Sequence, residues 1–412
     1  MIKRRTILGA GAGAVLASGT AGLASPVRAQ MMPGEGGAGA LGALTDPPHD
    51  VYPAGTLAPR GRFGHVERLP KLELESRQNF LRSFRTWVNM SLSAKAAARA
   101  NDVLEAHGLD TREELPEAKA LELLMDEPLP QMASRAWLSS QQLMWDGLRE
   151  EFEGNVEKYL AEMEAVENYG GILELNPDLD IPAYAKHEIH IMPGGYVGSP
   201  VAGYLYHYGT NGFYMGRNDN DEIHRGTARR MVTPADGQVK RILDLGTGIG
   251  QFAMALKERF PQAEVWGIDV GGPMVRYAHL LSCERRLEVN FAQRLAEDTK
   301  FPDNHFDLVT SYIMFHEVDP EATARIMKEA YRITRPGGVF YPIDFDTLDL
   351  PPRTAYQQYR SYMDHRWNCE PWTPKWRACN PQKLIRDAGF ELNTDGPVAL
   401  PRFGVLNATK PA

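Results

Sequence analysis

The chain has 412 residues, of which 43% are hydrophobic and 24% are charged, and its formal net charge is −8. This length predicts two or three folded units with enough apolar material for a core. The negative charge argues against general nucleic-acid binding, because Lys and Arg are not in excess to replace counterions. Three cysteines are too few for a disulfide framework. Either a single Cys369–Cys379 bridge or three reduced thiols is compatible with the sequence.

The first 29 residues have the order of an export signal. The basic residues Lys3, Arg4 and Arg5 precede an apolar Gly/Ala-rich segment, and small residues suit cleavage after Ala29. The paired arginines resemble those of twin-arginine signals, which direct folded proteins across a bacterial membrane. We therefore expect a periplasmic protein that engages the twin-arginine export machinery and has no membrane span after signal removal. An uncleaved membrane anchor and a basic start without a targeting role are the alternatives.

A linker and a helical region are predicted next. Residues 30–70 are rich in Gly and Pro and lack apolar periodicity, which predicts a flexible linker. Residues 71–235 are predicted to form a mainly helical domain that covers the substrate. A second long helix is expected over residues 131–166, interrupted near Gly147 or Gly154. The first helix, from about Leu72, has an apolar face made of Phe80, Leu81, Phe84, Trp87, Val88 and Leu92.

Two stretches dense in aromatics, glycines and histidines follow, at residues 187–196 and 204–214. Their composition predicts a loop-rich surface shaped around a partner or a small ligand. A metal site made of His187, His190 and His207 is the sharper alternative. The spacing differs from the helical two-histidine zinc motif, so hydrogen-bonded pocket or core histidines are favoured.

A glycine-rich turn follows an apolar strand that ends in Asp244. Glycine recurs at Gly246, Gly248 and Gly250, and an amphipathic run begins at once. This change of period predicts a strand–turn–helix unit whose backbone N–H groups approach a ligand. The next strand ends in Asp269, about twenty residues beyond the turn, where a doubly wound sheet places a carboxylate for ribose hydroxyls.

Strands and helices alternate up to residue 344, which predicts an α/β fold with a mainly parallel sheet. Residues 236–412 are predicted to form one ligand-binding domain that ends in an aromatic-rich lid. Because several prolines interrupt residues 356–390, we expect this lid to be ordered but irregular. Its aromatics either enclose an apolar substrate together with Tyr196, Tyr204, Tyr206 and Tyr214 or pack between domains.

Several motifs occur together in the order found in a known family: Asp244, the glycine turn, Asp269, residues 301–307 and residues 335–338. Residues 238–344 resemble the class I S-adenosylmethionine-dependent methyltransferases, and within them the ubiquinone/menaquinone-biosynthesis C-methyltransferase branch. The resemblance implies a Rossmann-like methyltransferase sheet with an N-terminal mainly helical domain and a C-terminal lid. It also implies S-adenosylmethionine as the cofactor. The implied cofactor-binding residues are Asp244, Gly246, Thr247, Gly248, Gly250, Asp269, Ala296, Glu297 and Ser311.

The resemblance also distributes these residues over the cofactor. Asp244 and the glycines would hold its methionine part, and Asp269 its ribose. Ala296 and Glu297 would lie against the adenine, and Ser311 would face the sulfonium. Leu295 departs from the family pattern, in which an acid often occupies this position.

His316 and Glu317 are the candidate catalytic residues, because they follow the strand that should end beside the methyl group. A histidine that titrates near neutral pH could accept the proton of the methyl acceptor, and Glu317 could orient it. Alternatively, His316 only shapes the pocket. The expected activity is methyl transfer to a small, aromatic or largely apolar acceptor, through oxygen, carbon, nitrogen or sulfur. A catalytically silent cofactor-binding module and a nicotinamide-dependent oxidoreductase are the alternatives; Gln251, where the latter needs glycine, argues against it.

Overall fold

The computed structural model describes residues 61–345, 353–393 and 406–412. The predicted export signal and most of the predicted linker lie outside these ranges. Residues 61–70, the last ten of the segment interpreted as a linker, contain a small antiparallel hairpin of β1 (Arg62–Phe63) and β2 (Val66–Glu67).

A helical layer precedes the main sheet, and it begins at the predicted Leu72. The predicted long helix is divided in two at residues 153–155, where a Cβ on Gly154 would lie 2.3 Å from the Glu150 carbonyl oxygen. The helices are α1 (Leu72–Trp87), which continues through a π-helical turn (Val88–Leu92) into α2 (Ser93–Ala106), then α3 (Glu117–Leu124), α4 (Pro128–Phe152) and α5 (Val156–Ala165).

The apolar face predicted for α1 is only partly buried. Leu81, Val88 and Leu92 lie in the core, as expected. Phe80 and Trp87 are instead 67% and 47% exposed. The spacing of three and four residues therefore marks a stripe wider than the surface that the neighbouring helices cover.

The second aromatic stretch is a helix, so the prediction of a loop-rich surface there is wrong. Residues 204–214 lie almost entirely in α6 (Ala202–Phe213), and α7 (Glu222–Arg230) follows. The glycines of α6 permit close packing: a Cβ on Gly209 would lie 2.2 Å from the ring of Trp145 in α4. The first stretch does contain irregular backbone, with a 3-10 turn at Ile189–Ile191.

The main sheet has the order β3-β6-β5-β4-β7-β8-β10-β9 among the described strands. Pairing is parallel from β3 to β8 and antiparallel for β9 and β10, which confirms the predicted α/β fold with a mainly parallel sheet. The strands are β3 (Leu173–Glu174), β4 (Arg241–Leu245), β5 (Glu264–Asp269), β6 (Asn290–Gln293), β7 (Phe306–Tyr312), β8 (Thr334–Ile343), β9 (Glu391–Leu392) and β10 (Ala408–Thr409).

Helices cover both faces of the sheet. The crossover helices are α8 (Gln251–Arg259), α9 (Gly272–Glu284) and α10 (Pro320–Ile333). One continuous apolar core joins the N-terminal helices to the sheet, since Tyr204 of α6 packs on Tyr277 of α9 with ring centroids 4.4 Å apart. No helix of the described chain is long and apolar enough to span a bilayer.

The C-terminal segment is helical, so the prediction of an irregular lid is wrong. It forms α11 (Ala355–Trp367), α12 (Thr373–Ala378) and α13 (Pro381–Asp387). Thr354 caps α11 through a reciprocal capping box with Gln357. The thiols of Cys283, Cys369 and Cys379 are free.

Candidate active site

A cavity of about 170 Å³ lies at the carboxyl ends of β4, β5 and β7. Its walls include Gly246 and Gly248 after β4, Asp269 at the end of β5, and Met314 after β7. Ligands of open parallel sheets bind at this edge, where successive strands leave a crevice. The sheet topology therefore places the predicted glycine turn and the predicted ribose carboxylate in one site.

The three glycines of the turn all have positive φ, but their surroundings differ. A Cβ on Gly246 would lie 2.5 Å from the Met314 sulfur, and one on Gly250 would lie 2.6 Å from the Phe291 ring. Gly246 and Gly250 therefore permit close packing. A Cβ on Gly248 would meet only the Met274 methyl at 3.9 Å, so the open space next to Gly248 is available to a ligand.

Two carboxyl groups flank this turn, the buried Asp244 and the partly buried Asp269. Asp269 accepts hydrogen bonds from the backbone N–H groups of Gly248 (2.9 Å) and Gly271 (2.8 Å). Asp244 accepts one from the Thr247 hydroxyl at 2.7 Å, and its Oδ1 has no hydrogen-bond partner among the described residues. Burial raises the pKa of Asp244 to about 7 and that of Asp269 to about 6. Asp244 thus has one carboxyl oxygen that no described residue satisfies, whereas both oxygens of Asp269 accept a backbone N–H.

The other predicted cofactor residues divide into two groups. Ala296 lines the cavity. Glu297 is not among the lining residues; its carboxylate accepts from the Tyr184 hydroxyl at 2.8 and 2.9 Å and pairs with Arg325 at 3.6 Å. Ser311 lies in β7 and is fully buried, and its hydroxyl has no hydrogen-bond partner among the described residues.

The predicted catalytic pair lines the same cavity, on a 3-10 turn (Phe315–Glu317) after β7. The Nδ1 of His316 lies 2.7 Å from Oδ1 of Asp344, which is fully buried after β8. Burial by itself lowers the pKa of His316, but the Asp344 carboxylate outweighs it and raises the pKa to about 9. The sequence interpretation assumed a near-neutral pKa. At a pKa of about 9, only about 1% of the His316 side chain is neutral at pH 7.

The remaining wall of the cavity is largely aromatic. Tyr196, Tyr206 and Tyr214 line it, as predicted, whereas Tyr204 packs in the core. The C-terminal segment contributes polar groups to the wall instead of the predicted aromatics, namely Asp364, Asn368 and Glu370. Further aromatic lining residues are Trp137, Tyr184, Phe213, Tyr312 and Phe345.

The aromatic side chains predicted for the lid have other places. Trp376 is buried, stacks on Phe315 with centroids 5.6 Å apart, and donates its Nε1–H to the Phe345 carbonyl. Tyr359 and Trp367 line a second cavity of about 290 Å³ between α4 and α11. The two cavities share the wall residues Trp137, Asp364 and Asn368.

The three histidines considered as metal ligands lie in different surroundings. His187 packs edge-on against Trp372, and the buried His207 contacts the Tyr277 hydroxyl at 2.9 Å. Only His190 lines the cavity, where its Nδ1 lies 2.6 Å from Glu370 and its Nε2 lies 3.4 Å from Glu317. Across residues 61–345, 353–393 and 406–412, no three His, Cys, Asp or Glu side chains are arranged to hold a metal ion.

Residues 242–338 match the family model described as a methyltransferase domain. This segment is a methyltransferase domain. The match confirms the predicted enzyme class and S-adenosylmethionine as the domain's cofactor. Gly246, Gly248 and Asp269 lie within the matched residues, and the geometry suits that group: open space lies next to Gly248, and one oxygen of the neighbouring Asp244 has no hydrogen-bond partner among the described residues.

Curated relatives resemble about a third of the chain. A demethylmenaquinone methyltransferase from Thermus thermophilus is 41% identical over 125 residues, which are 30% of this chain and 54% of the relative. The ubiquinone/menaquinone biosynthesis C-methyltransferase UbiE from Cupriavidus necator is 31% identical over 146 residues, 34% of this chain and 59% of the relative. The chain thus spans only a little over half the length of these relatives. Among solved structures, a putative methyltransferase from Bacillus halodurans is 22% identical, with a TM-score of 0.32 over 42% of this chain and 70% of the other.

Proposed function

We propose that the chain catalyses S-adenosylmethionine-dependent methyl transfer to a small acceptor that is aromatic or otherwise largely apolar. One observation carries this proposal: a single cavity is lined by the glycine turn, Asp269, aromatic side chains and the His316–Glu317 pair. The site thereby combines a place for the cofactor, an apolar wall for the acceptor and groups that can handle a proton.

The chain's own residues would hold the cofactor in a fixed position. When bound, S-adenosylmethionine supplies a sulfonium methyl group that a nucleophile takes by in-line displacement, with no covalent protein intermediate. Asp269 would accept hydrogen bonds from the ribose hydroxyls, and Gly248 leaves room for the close approach of the ligand. Asp244 would accept from a donor near the turn, directly or through Thr247. The resemblance assigns cofactor contacts to six further residues, and we propose the same for them here: Thr247, Gly246, Gly250, Ala296, Glu297 and Ser311. Glu297 would act through Tyr184.

The aromatic wall supports the proposed class of acceptor. Tyr196 and Tyr206 contact each other edge to face, with ring centroids 5.6 Å apart, and both line the cavity. Flat rings on such a wall exclude water and stack on a flat, apolar ligand. The curated relatives are named for menaquinone and ubiquinone methylation, which supports a cyclic acceptor and carbon as one atom that could receive the methyl group. Oxygen, nitrogen and sulfur acceptors are also compatible with this wall.

Transfer of the labelled methyl group from S-adenosylmethionine to a defined acceptor tests this proposal. We choose 1,4-dihydroxynaphthalene, which is flat, neutral and hydroxylated, and 1-naphthoate, an anionic control of similar size. We expect a labelled, monomethylated product from the first compound. A cofactor-binding chain that labels neither compound, nor any small molecule of a bacterial periplasmic extract, would be the silent module instead.

We also propose that the chain is exported through the twin-arginine route and acts in the periplasm. Support comes from Arg4 and Arg5 ahead of the apolar segment and from the small residues before Gln30. Export in the folded state would allow the cofactor to cross already bound, although continued turnover outside the cytoplasm requires a supply of it.

A further inference from the structure

His190 is a cavity residue that the chain contributes from outside the matched methyltransferase domain. It lies on the 3-10 turn at Ile189–Ile191, and its backbone is left-handed, with φ of 57°. Two side chains of α4 hold it there: Trp145 Nε1–H (2.9 Å) and Gln141 Nε2–H (2.5 Å) both donate to the His190 carbonyl. A strained backbone that buried donors fix in place is a mark of a pre-organised functional group.

The His190 ring joins two carboxylates. Its Nδ1 lies 2.6 Å from Oε1 of Glu370, which is 4% exposed and also accepts from the Thr373 hydroxyl at 3.2 Å. Its Nε2 lies 3.4 Å from Oε1 of Glu317. Burial by itself lowers the pKa of His190, but Glu370 and Glu317 outweigh it and raise the pKa well above the usual value. The ring is therefore a cation that bridges the C-terminal segment and the methyltransferase domain.

Glu317 has a matching arrangement on its other side. The Nε2 of His316 lies 3.8 Å from Oε1 of Glu317, and the Nδ1 of His316 is paired with Asp344. The Tyr196 hydroxyl donates to the same Oε1 at 3.1 Å. Two imidazoles, each with its own carboxylate, and one phenol thus converge on one oxygen of Glu317, and none of these contacts uses Oε2.

We propose that Glu317 accepts the proton of the methyl acceptor and that His190, held by Glu370, is a positioning residue for Glu317. The inference rests on the proposed methyl transfer. The acceptor's X–H bond breaks, its proton joins the Glu317 carboxylate, and the electron pair of X forms the bond to the methyl carbon. The electron pair of the broken sulfur–carbon bond stays on sulfur. No other reactant is needed for the balance.

The charges around the cavity define the class of acceptor that suits this step. Among the described residues, its lining carries the carboxyl groups of Asp269, Glu317, Asp364 and Glu370, the guanidinium of Arg294 and the imidazoles of His190 and His316. The guanidinium of Arg294 is engaged by Glu174 and by the Thr299 carbonyl. On the described part of this wall each cationic group already contacts a carboxylate, so an anionic acceptor would have to compete for it, whereas a neutral molecule with a hydroxyl, thiol, amine or acidic C–H group would donate to Glu317.

Histidine NMR tests the positioning role without any acceptor. With ¹⁵N-labelled histidine in the full chain, we expect His190 and His316 both to be protonated at pH 7. The titratable neighbours of His190 are Glu317, Glu370, His316, Asp364 and Cys369. We expect Glu317→Gln to lower the pKa of both rings, because it removes the shared charge, and Glu370→Gln to act mainly on His190. His305→Gln, in a histidine away from the cavity, should change neither. A Glu317→Gln variant that leaves the His190 titration unchanged would overturn the positioning role.

Kinetics with labelled S-adenosylmethionine and 1,4-dihydroxynaphthalene test the catalytic role. We expect Glu317→Gln and His190→Gln to lower kcat at least tenfold, while binding of S-adenosylhomocysteine changes less than about threefold. Wild-type kcat/KM that rises tenfold per pH unit towards pH 9, with a slope that Glu317→Gln leaves intact, would assign the proton to His316 and overturn the inference. If the wild-type protein does not bind S-adenosylhomocysteine at all, the methyltransferase proposal itself is refuted.

Discussion

At the scale of single residues, Asp244 beside the glycine turn is a poorly satisfied buried carboxyl group. Asp244 is 1% exposed and accepts a hydrogen bond from the Thr247 hydroxyl. Burial raises its pKa to about 7. Between about pH 4 and pH 7 the folded protein therefore holds a proton that the unfolded chain has lost, so the free energy of unfolding falls as the pH rises. Such a residue costs stability, which fits a role in ligand binding.

Asp244→Asn should accordingly stabilise the ligand-free protein at pH 8, by on the order of 2 kcal/mol, because it removes a buried charge. At pH 4, where the carboxyl is protonated, the gain should vanish. Urea unfolding at both pH values measures the difference.

The control for this comparison is Asp303→Asn, at a side chain that is 71% exposed. It should give no gain that depends on pH in this way. Equal stability of Asp244→Asn and wild type at pH 8, or a larger gain at pH 4, would contradict the account of Asp244.

Some site residues could be predicted from the sequence, and others could not. Gly248 and Asp269 follow from the fixed spacing of one strand–turn–helix unit and the strand after it, so the local pattern was enough. His190 was considered only as a pocket histidine or metal ligand, because its partners Glu370 and Glu317 are 180 and 127 positions away by residue number. The pKa of His316 depends likewise on Asp344, a contact between two strand ends that no local pattern contains.

At the scale of elements, alternation identified the sheet, but composition misled in two segments. Prolines at residues 374 and 381 suggested irregular structure, yet they occupy the first turns of α12 and α13, where a missing N–H costs nothing. In α6, glycines suggested loops. They instead allow the helix to approach its neighbours, as Gly209 does with Trp145.

Two glycine substitutions test this role of α6. Gly209→Ala should destabilise the protein by about 1–3 kcal/mol, because its Cβ would overlap the Trp145 ring. Gly226→Ala in α7 has nothing within 4 Å of the new Cβ, so we expect it to stabilise by about 0.5–1 kcal/mol through helix propensity. Thermal unfolding followed by circular dichroism measures both. Equal effects of the two substitutions would show that α6 does not depend on close packing at Gly209.

At the scale of the whole molecule, the site is assembled from three parts of the chain. The matched domain provides the glycine turn and Glu317, the preceding region provides His190 and Tyr196, and the C-terminal segment provides Glu370. The family model matches only the first of these parts. We therefore expect the acceptor to be chosen by the residues outside the match.

The proposed export is a prediction about the whole chain, and residues 1–30 fused to a reporter test it. Replacing Arg4 and Arg5 together by Lys should abolish export, because the twin-arginine machinery requires the arginine pair. Arg28→Lys makes the same substitution outside the arginine pair, so we expect it to leave export unchanged. Unchanged export of the double variant would refute the twin-arginine route.

Calorimetric titration of the full chain with S-adenosylmethionine and S-adenosylhomocysteine tests the central claim most directly. We predict micromolar dissociation constants for the wild type and binding at least tenfold weaker for Asp269→Asn, which removes the charged acceptor for the ribose hydroxyls. Asp303→Asn should bind like the wild type. Absence of binding heat in folded wild-type protein, or equal affinity in Asp269→Asn, would contradict the assignment of this cavity to the cofactor.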